Sequence, residues 1–236
     1  MFRKRINLAI GAWLKKRGLF IDRLHRRPYS DLNLLALAVT ALEKTQQDLQ
    51  IIQIGAYDGV TRDPLFQVIE NTSARVLFVE PQAEPMRKLK ARYKNREGTQ
   101  FEESAVSICD DEVSMFLEPN LKFSTKASLS RDHLSNFGHS SQNTTEIRVS
   151  GITVNSLIGK HQIGSVDLLQ IDAEGYDFEI VKFFFEAEVA PKIINFESFH
   201  LNADDRNEMR KFFQDKGYRT HDHGLDTLAV RSSVYN

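Results

Sequence analysis

Cysteine is almost missing from this chain: Cys109 is the single one in 236 residues. An internal disulfide and a cysteine-rich zinc site are therefore excluded, which agrees with a reducing compartment. Cys109 stands beside Asp110-Asp111, a turn signal, and reads as a small apolar residue near a hairpin. Internal repeats and low-complexity tracts are also absent. So is the G-x-G-x-x-G turn that lets backbone amides and a helix N-terminus approach a pyrophosphate. Near the N-terminus, the apolar stretch from Ile6 to Leu14 is far shorter than the roughly 20 residues a bilayer span needs. What is present, 41% hydrophobic and 27% charged residues, suits one well-buried α/β domain and no second one.

A net charge of −1 conceals two unlike parts. Residues 1–27 hold nine basic side chains (Arg3, Lys4, Arg5, Lys15, Lys16, Arg17, Arg23, Arg26 and Arg27) against one acid, Asp22, giving +8 and leaving −9 for the remainder. Phe2, Ile6, Ala9, Ile10, Trp13, Phe20, Ile21 and Leu24 share a helical face, the pattern of a helix lying in a membrane interface. A solvated helix packed on the domain is the competing reading. Lys15-Lys16-Arg17 stands where a signal peptide would have its small-residue cleavage site, and a transit peptide is a weaker alternative. The expectation is a cytoplasmic protein, peripheral at the inner face of a membrane, with residues 1–48 as an N-terminal basic amphipathic helix and packing helix. Residues 49–236 form the catalytic domain. No nucleic-acid partner is expected.

Beyond residue 30 the pattern alternates strand and helix. Ser30-Asp31 can cap a helix through Leu42 with Leu32, Leu35, Val39 and Leu42 inward. Strands are expected at 51–54, 75–80, 101–106, 166–171 and 193–196, with extended pieces at 113–117 and 144–157. Pro64 is placed in the first turn of a helix, 85–93 is helical, and Ile180, Val181, Phe184 and Phe185 face the core of another helix. A further helix, 204–216, is closed by Gly217, and 218–230 is a strand pair. Residues 118–143, rich in Ser, Asn, Thr and His, read as a lid or binding loop, or else as disordered. This spacing predicts a mainly parallel sheet with a late antiparallel edge.

Two strand ends carry the chemistry. Ile51 to Gly59 and Val166 to Gly175 are apolar runs that stop at carboxylates and glycines, and in an open α/β sheet such ends face one crevice. The first, Gly55-Ala56-Tyr57-Asp58-Gly59, sets an acid where a pyrophosphate would be repelled. S-adenosylmethionine suits it better, with its positive sulfonium and ammonium. Glu80, about twenty residues after Gly59, ends the next apolar run, where a carboxylate can accept both ribose hydroxyls.

Five segments together resemble the FkbM-type S-adenosylmethionine-dependent methyltransferases over roughly residues 49–231. They are Gln53 to Gly59, Phe78-Val79-Glu80-Pro81, Ser104-Ala105-Val106, Asp167 to Gly175 and Asn195-Phe196-Glu197-Ser198. The resemblance implies a class I methyltransferase, Rossmann-like α/β fold with a mainly parallel seven-stranded sheet, an antiparallel edge and N-terminal helices. It implies a cofactor site at Gln53, Gly55, Ala56, Asp58, Gly59, Glu80, Pro81, Ser104, Ala105 and Asp172. It also implies methylation of a hydroxyl, commonly on a polysaccharide or glycolipid and sometimes on a macrolide. Three residues depart from the family pattern: Gln53 and Asn155 where acids are frequent, and Gln170 where Lys is frequent.

Methyl transfer to an alcohol needs a base, worth roughly 10² to 10⁴-fold. Asp172, Glu174, Glu197 and His200 are the catalytic candidates, with His133 and His139 in the long loop as further ones; Glu174 and Asp177 could instead cap a helix. No metal is assigned, although Asp172 and Glu174 could hold a divalent ion that polarises the hydroxyl. His221 and His223 read as edge decoration. The expected activity is O-methylation of a glycan or glycolipid. A macrolide-like acceptor and a non-catalytic cofactor-binding module at a membrane are the alternatives.

Overall fold

The computed structural model describes residues 34–46, 48–130 and 144–234. The basic segment 1–27, the Ser30-Asp31 cap, His133 and His139 lie outside the described residues. No helix among the described residues is long and apolar enough to cross a membrane.

Helices α1 (Leu34–Thr45), α2 (Phe66–Asn71) and α3 (Ala83–Tyr93) alternate with strands β1 (Gln50–Ile54), β2 (Arg75–Val79) and β3 (Thr99–Glu102). After β4 (Ala105–Val106), β5 (Glu112–Leu117) and β6 (Thr145–Ile152) come α4 (Val154–His161), β7 (Leu168–Ile171), α5 (Asp177–Glu186), β8 (Ile193–Glu197) and α6 (Ala203–Asp215). The hairpin β9 (Tyr218–His223) and β10 (Asp226–Arg231) closes the chain.

Seven strands form one sheet in the order β3-β2-β1-β7-β8-β10-β9. Neighbours are parallel from β3 to β8, and β10 runs antiparallel to both β8 and β9. This is the class I methyltransferase arrangement, and its strand order reverses between β1 and β7, so a crevice opens beyond their carboxyl ends. Every residue of β1 and β7 is buried, because helices cover both faces. Ile52, Ile54, Leu169, Ile171, Ile194 and Phe196 pack on one side against α4, α5 and α6 through Leu157, Val181, Phe184 and Phe213. Ile51, Val76, Phe78 and Leu168 pack on the other against Leu35, Val39, Ile69 and Leu89 of α1 to α3.

The sequence expectations need adjusting in three places. The run 101–106 is two strands in two sheets. Glu80 N–H donates to Glu102 O at 3.0 Å and Ser104 Oγ donates to the Glu102 carboxylate at 2.8 Å, ending β3; Ala105 and Val106 then pair with Gly151 and Ile152 in the three-stranded sheet β4-β6-β5. The extended piece 144–157 stops at Ile152, because the Thr153 hydroxyl accepts from Ser156 N–H and starts α4. Pro64 precedes its helix rather than opening it, since α2 begins at Phe66 after the Asp63 carboxylate takes Leu65 N–H at 2.8 Å.

Candidate active site

The ends of β1, β2 and β7 surround an open cleft of about 930 Å³, its mouth included. Gly55 and Ala56 N–H both donate to Val79 O, at 3.0 and 3.2 Å, while Asp172 N–H donates to Ile54 O at 3.0 Å. Strand ends stitched so closely leave no room at position 55: a Cβ there would sit 1.8 Å from Asp172 O, and φ is +75°. Only glycine fits, for both reasons.

Gln53, Gly55, Ala56, Glu80, Pro81, Ser104, Ala105 and Asp172, all expected to contact cofactor, line this cleft. Asp58 and Gly59 do not. The Asp58 carboxylate is spent on its own turn, accepting from Val60 N–H at 3.1 Å and from Thr61 N–H and hydroxyl at 2.8 Å each. Gly59 is a packing residue, since a Cβ would lie 2.6 Å from Leu89 Cδ1 and 2.8 Å from Tyr93 Cε2. Both positions shape the turn from outside the cavity.

Glu80 is buried, with its carboxylate accepting from Tyr57 N–H at 2.9 Å and Gln82 N–H at 2.8 Å. Burial outweighs these donors and pushes its carboxyl up to about 7. Each oxygen keeps acceptor capacity beyond its one backbone donor. Gln82 clasps the start of the long loop: its amide accepts from Ser124 N–H at 2.8 Å and donates to Ser124 O at 2.9 Å. Ser124, Thr125, Ala127 and Leu129 thereby form a cleft wall.

Sequence reasoning missed Asp63. Its Oδ1 accepts from Gln53 Nε2 at 3.0 Å and Leu65 N–H at 2.8 Å. Its Oδ2, like Gln53 Oε1, is buried with no hydrogen-bond partner, and both residues line the cleft. Burial pushes the Asp63 carboxyl up to about 6.

On the opposite wall, β7 ends in Asp172-Ala173-Glu174-Gly175. Glu174 adopts φ +50°, a left-handed conformation that costs a non-glycine residue of order 1 kcal/mol. The buried Asp177 carboxylate holds this turn, accepting from Ala173 N–H at 3.1 Å and Gly175 N–H at 3.0 Å. The helix that follows has no side-chain cap, so neither Glu174 nor Asp177 caps it. Glu174 points elsewhere: one oxygen each from Glu174 and Glu197 and a ring nitrogen of His200 all lie within 4.8 Å of one another. Glu197 Oε2 is 3.1 Å from His200 Nε2. Asp172 and Glu174 line the cleft, and Glu197 and His200 adjoin Glu174 outside its lining. Glu174, Glu197 and His200 are thus the group among the described residues spaced to share a cation.

Carboxylates crowd this wall. Burial, then Glu174, Asp177 and Asp226, push Glu197 up to about 8. Burial, then Asp177, Glu174, Glu197 and Asp226, hold Asp172 well above the usual carboxylate range. The Asp172 side chain meets solvent in the cleft, so the neighbouring charges carry much of that rise. Beneath lies a polar row set by strand register: Asn195 Nδ2 donates to Gln170 Oε1 at 2.9 Å and to Asp226 Oδ2 at 3.0 Å, and its Oδ1 takes His223 Nε2 at 2.8 Å. His223, read as edge decoration, is instead tied to the sheet.

A family profile described as the methyltransferase FkbM domain matches residues 53–220. No curated protein matches the chain. Among solved structures, the FkbM methyltransferase of Methylobacillus flagellatus KT is 14% identical over 78% of this chain and 43% of that one, with a TM-score of 0.48. Precorrin-6y C5,15-methyltransferase of Geobacter metallireducens GS-15 is 11% identical over 89% and 94%, at 0.45. An rRNA methylase of Streptococcus thermophilus is 8% identical over 89% and 99%, at 0.47. Likenesses this distant carry no argument about the acceptor.

Proposed function

The chain belongs to the FkbM methyltransferase family, and on that premise we propose that it moves a methyl group from S-adenosylmethionine to a hydroxyl of a glycan or glycolipid. The residues of the first wall fit that cofactor. A glycine slot at Gly55, a buried carboxylate at Glu80 for a ribose diol, and two buried acceptors lacking donors at Gln53 and Asp63 suit a ligand that is cationic and carries no phosphate. Bound there, S-adenosylmethionine supplies an electrophilic methyl group on its sulfonium.

The observation that carries the hydroxyl reading is Asp172, a carboxyl at the end of β7 that lines the cleft beside Gly55. An alcohol becomes a competent nucleophile only as its proton leaves, and a base works best when its pKa lies near the working pH. Asp172 takes that proton and Glu174 orients the acceptor, with Glu197 and His200 packed behind Glu174. The family's usual acceptors support a glycan, and the +8 segment with its apolar stripe supports a lipid-linked one.

Incubating the full chain with methyl-labelled cofactor and cell-envelope glycans should give an alkali-stable methyl ether on a sugar. Alkali-labile label, or label only on a lactone such as a macrolide, overturns the glycan O-methylation reading. The membrane contact is tested separately. The full chain should co-sediment with anionic vesicles at low salt and be released at high salt, each basic residue near the surface contributing on the order of 1 kcal/mol. Failure to sediment at low salt rejects it.

A further inference from the structure

We infer that Asp63, braced by Gln53, is the group that grips the α-ammonium of S-adenosylmethionine, in place of an acidic residue at position 53. The inference rests on the cofactor reading above and assigns a residue to a part of the ligand that the glycine turn and Glu80 leave unserved.

A methionine ammonium is a compact cation with three N–H donors and needs acceptors, at least one of them charged. Gln53 stands at the end of β1 where an acid is frequent in the family, and as an amide it has no charge to offer. The other acids near the glycine turn are already engaged: Asp58 lies outside the cleft lining and accepts from Thr61 and Val60, and Glu80 is held by Tyr57 and Gln82. Asp63 is the remaining carboxylate on this wall. Gln53 is 97% buried and gives its Nε2–H to Asp63 Oδ1, and both residues line the cleft. The result is a pair of buried acceptors, one neutral and one charged, with no donor on either.

Buried acceptors without donors are rare in folded proteins and costly to keep. Two of them, on hydrogen-bonded residues that both line a cleft, are explained by a donor-rich cation that arrives with the ligand. Such a cation would also draw the Asp63 carboxyl back toward its ordinary range, so that binding holds it ionised.

The test is calorimetric titration with two ligands, S-adenosylhomocysteine and the analogue carrying hydrogen in place of the α-amino group, and needs no turnover. The wild-type chain should prefer S-adenosylhomocysteine by on the order of 10- to 100-fold, the worth of a charge-assisted contact. Asp63→Asn should lose most of that preference and bind the analogue within about threefold of wild type. Gln53→Glu added to Asp63→Asn returns a carboxylate to the strand and should restore the preference. A wild-type chain that holds both ligands within about threefold of each other overturns the inference without recourse to any variant. An Asp63→Asn chain that keeps the full preference overturns it too. Binding of neither ligand to wild type sinks the cofactor reading itself, and this assignment with it.

Discussion

The two walls of the cleft hold their acids in opposite ways. On the β1–β2 wall, Glu80 and Asp63 stand apart, each accepting backbone N–H groups that fix the carboxylate. On the β7–β8 wall, Asp172 and Glu197 stand among Glu174, Asp177 and Asp226, whose charges, added to burial, make those two harder to ionise. Burial raises proton affinity on both walls; carboxylates fixed apart by donors suit recognition of a ligand, and carboxylates crowded by like charge suit proton removal. Under the proposed function, binding falls to the first wall and chemistry to the second.

Asp172→Asn is the strongest way to break that division. The substitution keeps shape and removes the base, so turnover should fall by roughly 10² or more while S-adenosylhomocysteine affinity stays within a few-fold. Comparable losses in both would merge the two walls into one site. A His200→Ala chain that is dead beside a fully active Asp172→Asn would move the base to His200. Loss of activity with a chelator and its return with Mg²⁺ would instead put a cation among Glu174, Glu197 and His200.

Glu80→Ala probes the other wall and should do the reverse. Losing a charged acceptor costs a few kcal/mol, so S-adenosylhomocysteine affinity should drop on the order of 10- to 100-fold. Calorimetry on the folded variant reads this directly. Unchanged affinity would remove Glu80 from the ribose.

Much of this division was legible in the sequence because its carriers are local. The Gly55 turn and Glu80 follow from apolar runs that stop abruptly, and Asp172 and Glu174 from the same signal at β7. Asp58 and Gly59 misled, since turn-forming Asp and Gly look alike in sequence whether they face a ligand or only close the turn. Asp63 was invisible for a geometric reason: the irregular turn before α2 swings it back to Gln53, ten residues earlier, and no periodicity encodes that. The Asn195 row was hidden likewise, because His223 and Asp226 reach it only through the antiparallel register of β10. The α4 cap at Thr153 was readable, and an apolar β-branched stretch before it masked the change of structure.

The smallest effect expected sharpens the comparison through stability. Glu197 keeps its proton in the folded chain up to about 8, whereas an unfolded chain loses it at the ordinary value of 4.5. Between those values the folded state binds more protons than the unfolded one, so this group's contribution to stability falls as pH rises. Glutamine cannot ionise and removes that slope. Glu197→Gln should therefore melt with wild type near about pH 5 and a few degrees above it at about pH 8, while losing activity, the trade expected of a strained catalytic wall. Thermal melts at the two pH values read the difference. A variant that melts below wild type at the higher pH would mean that Glu197 is ionised and held by His200 as a stabilising ion pair, and the crowding that separates this wall from the first would be relieved in the folded chain.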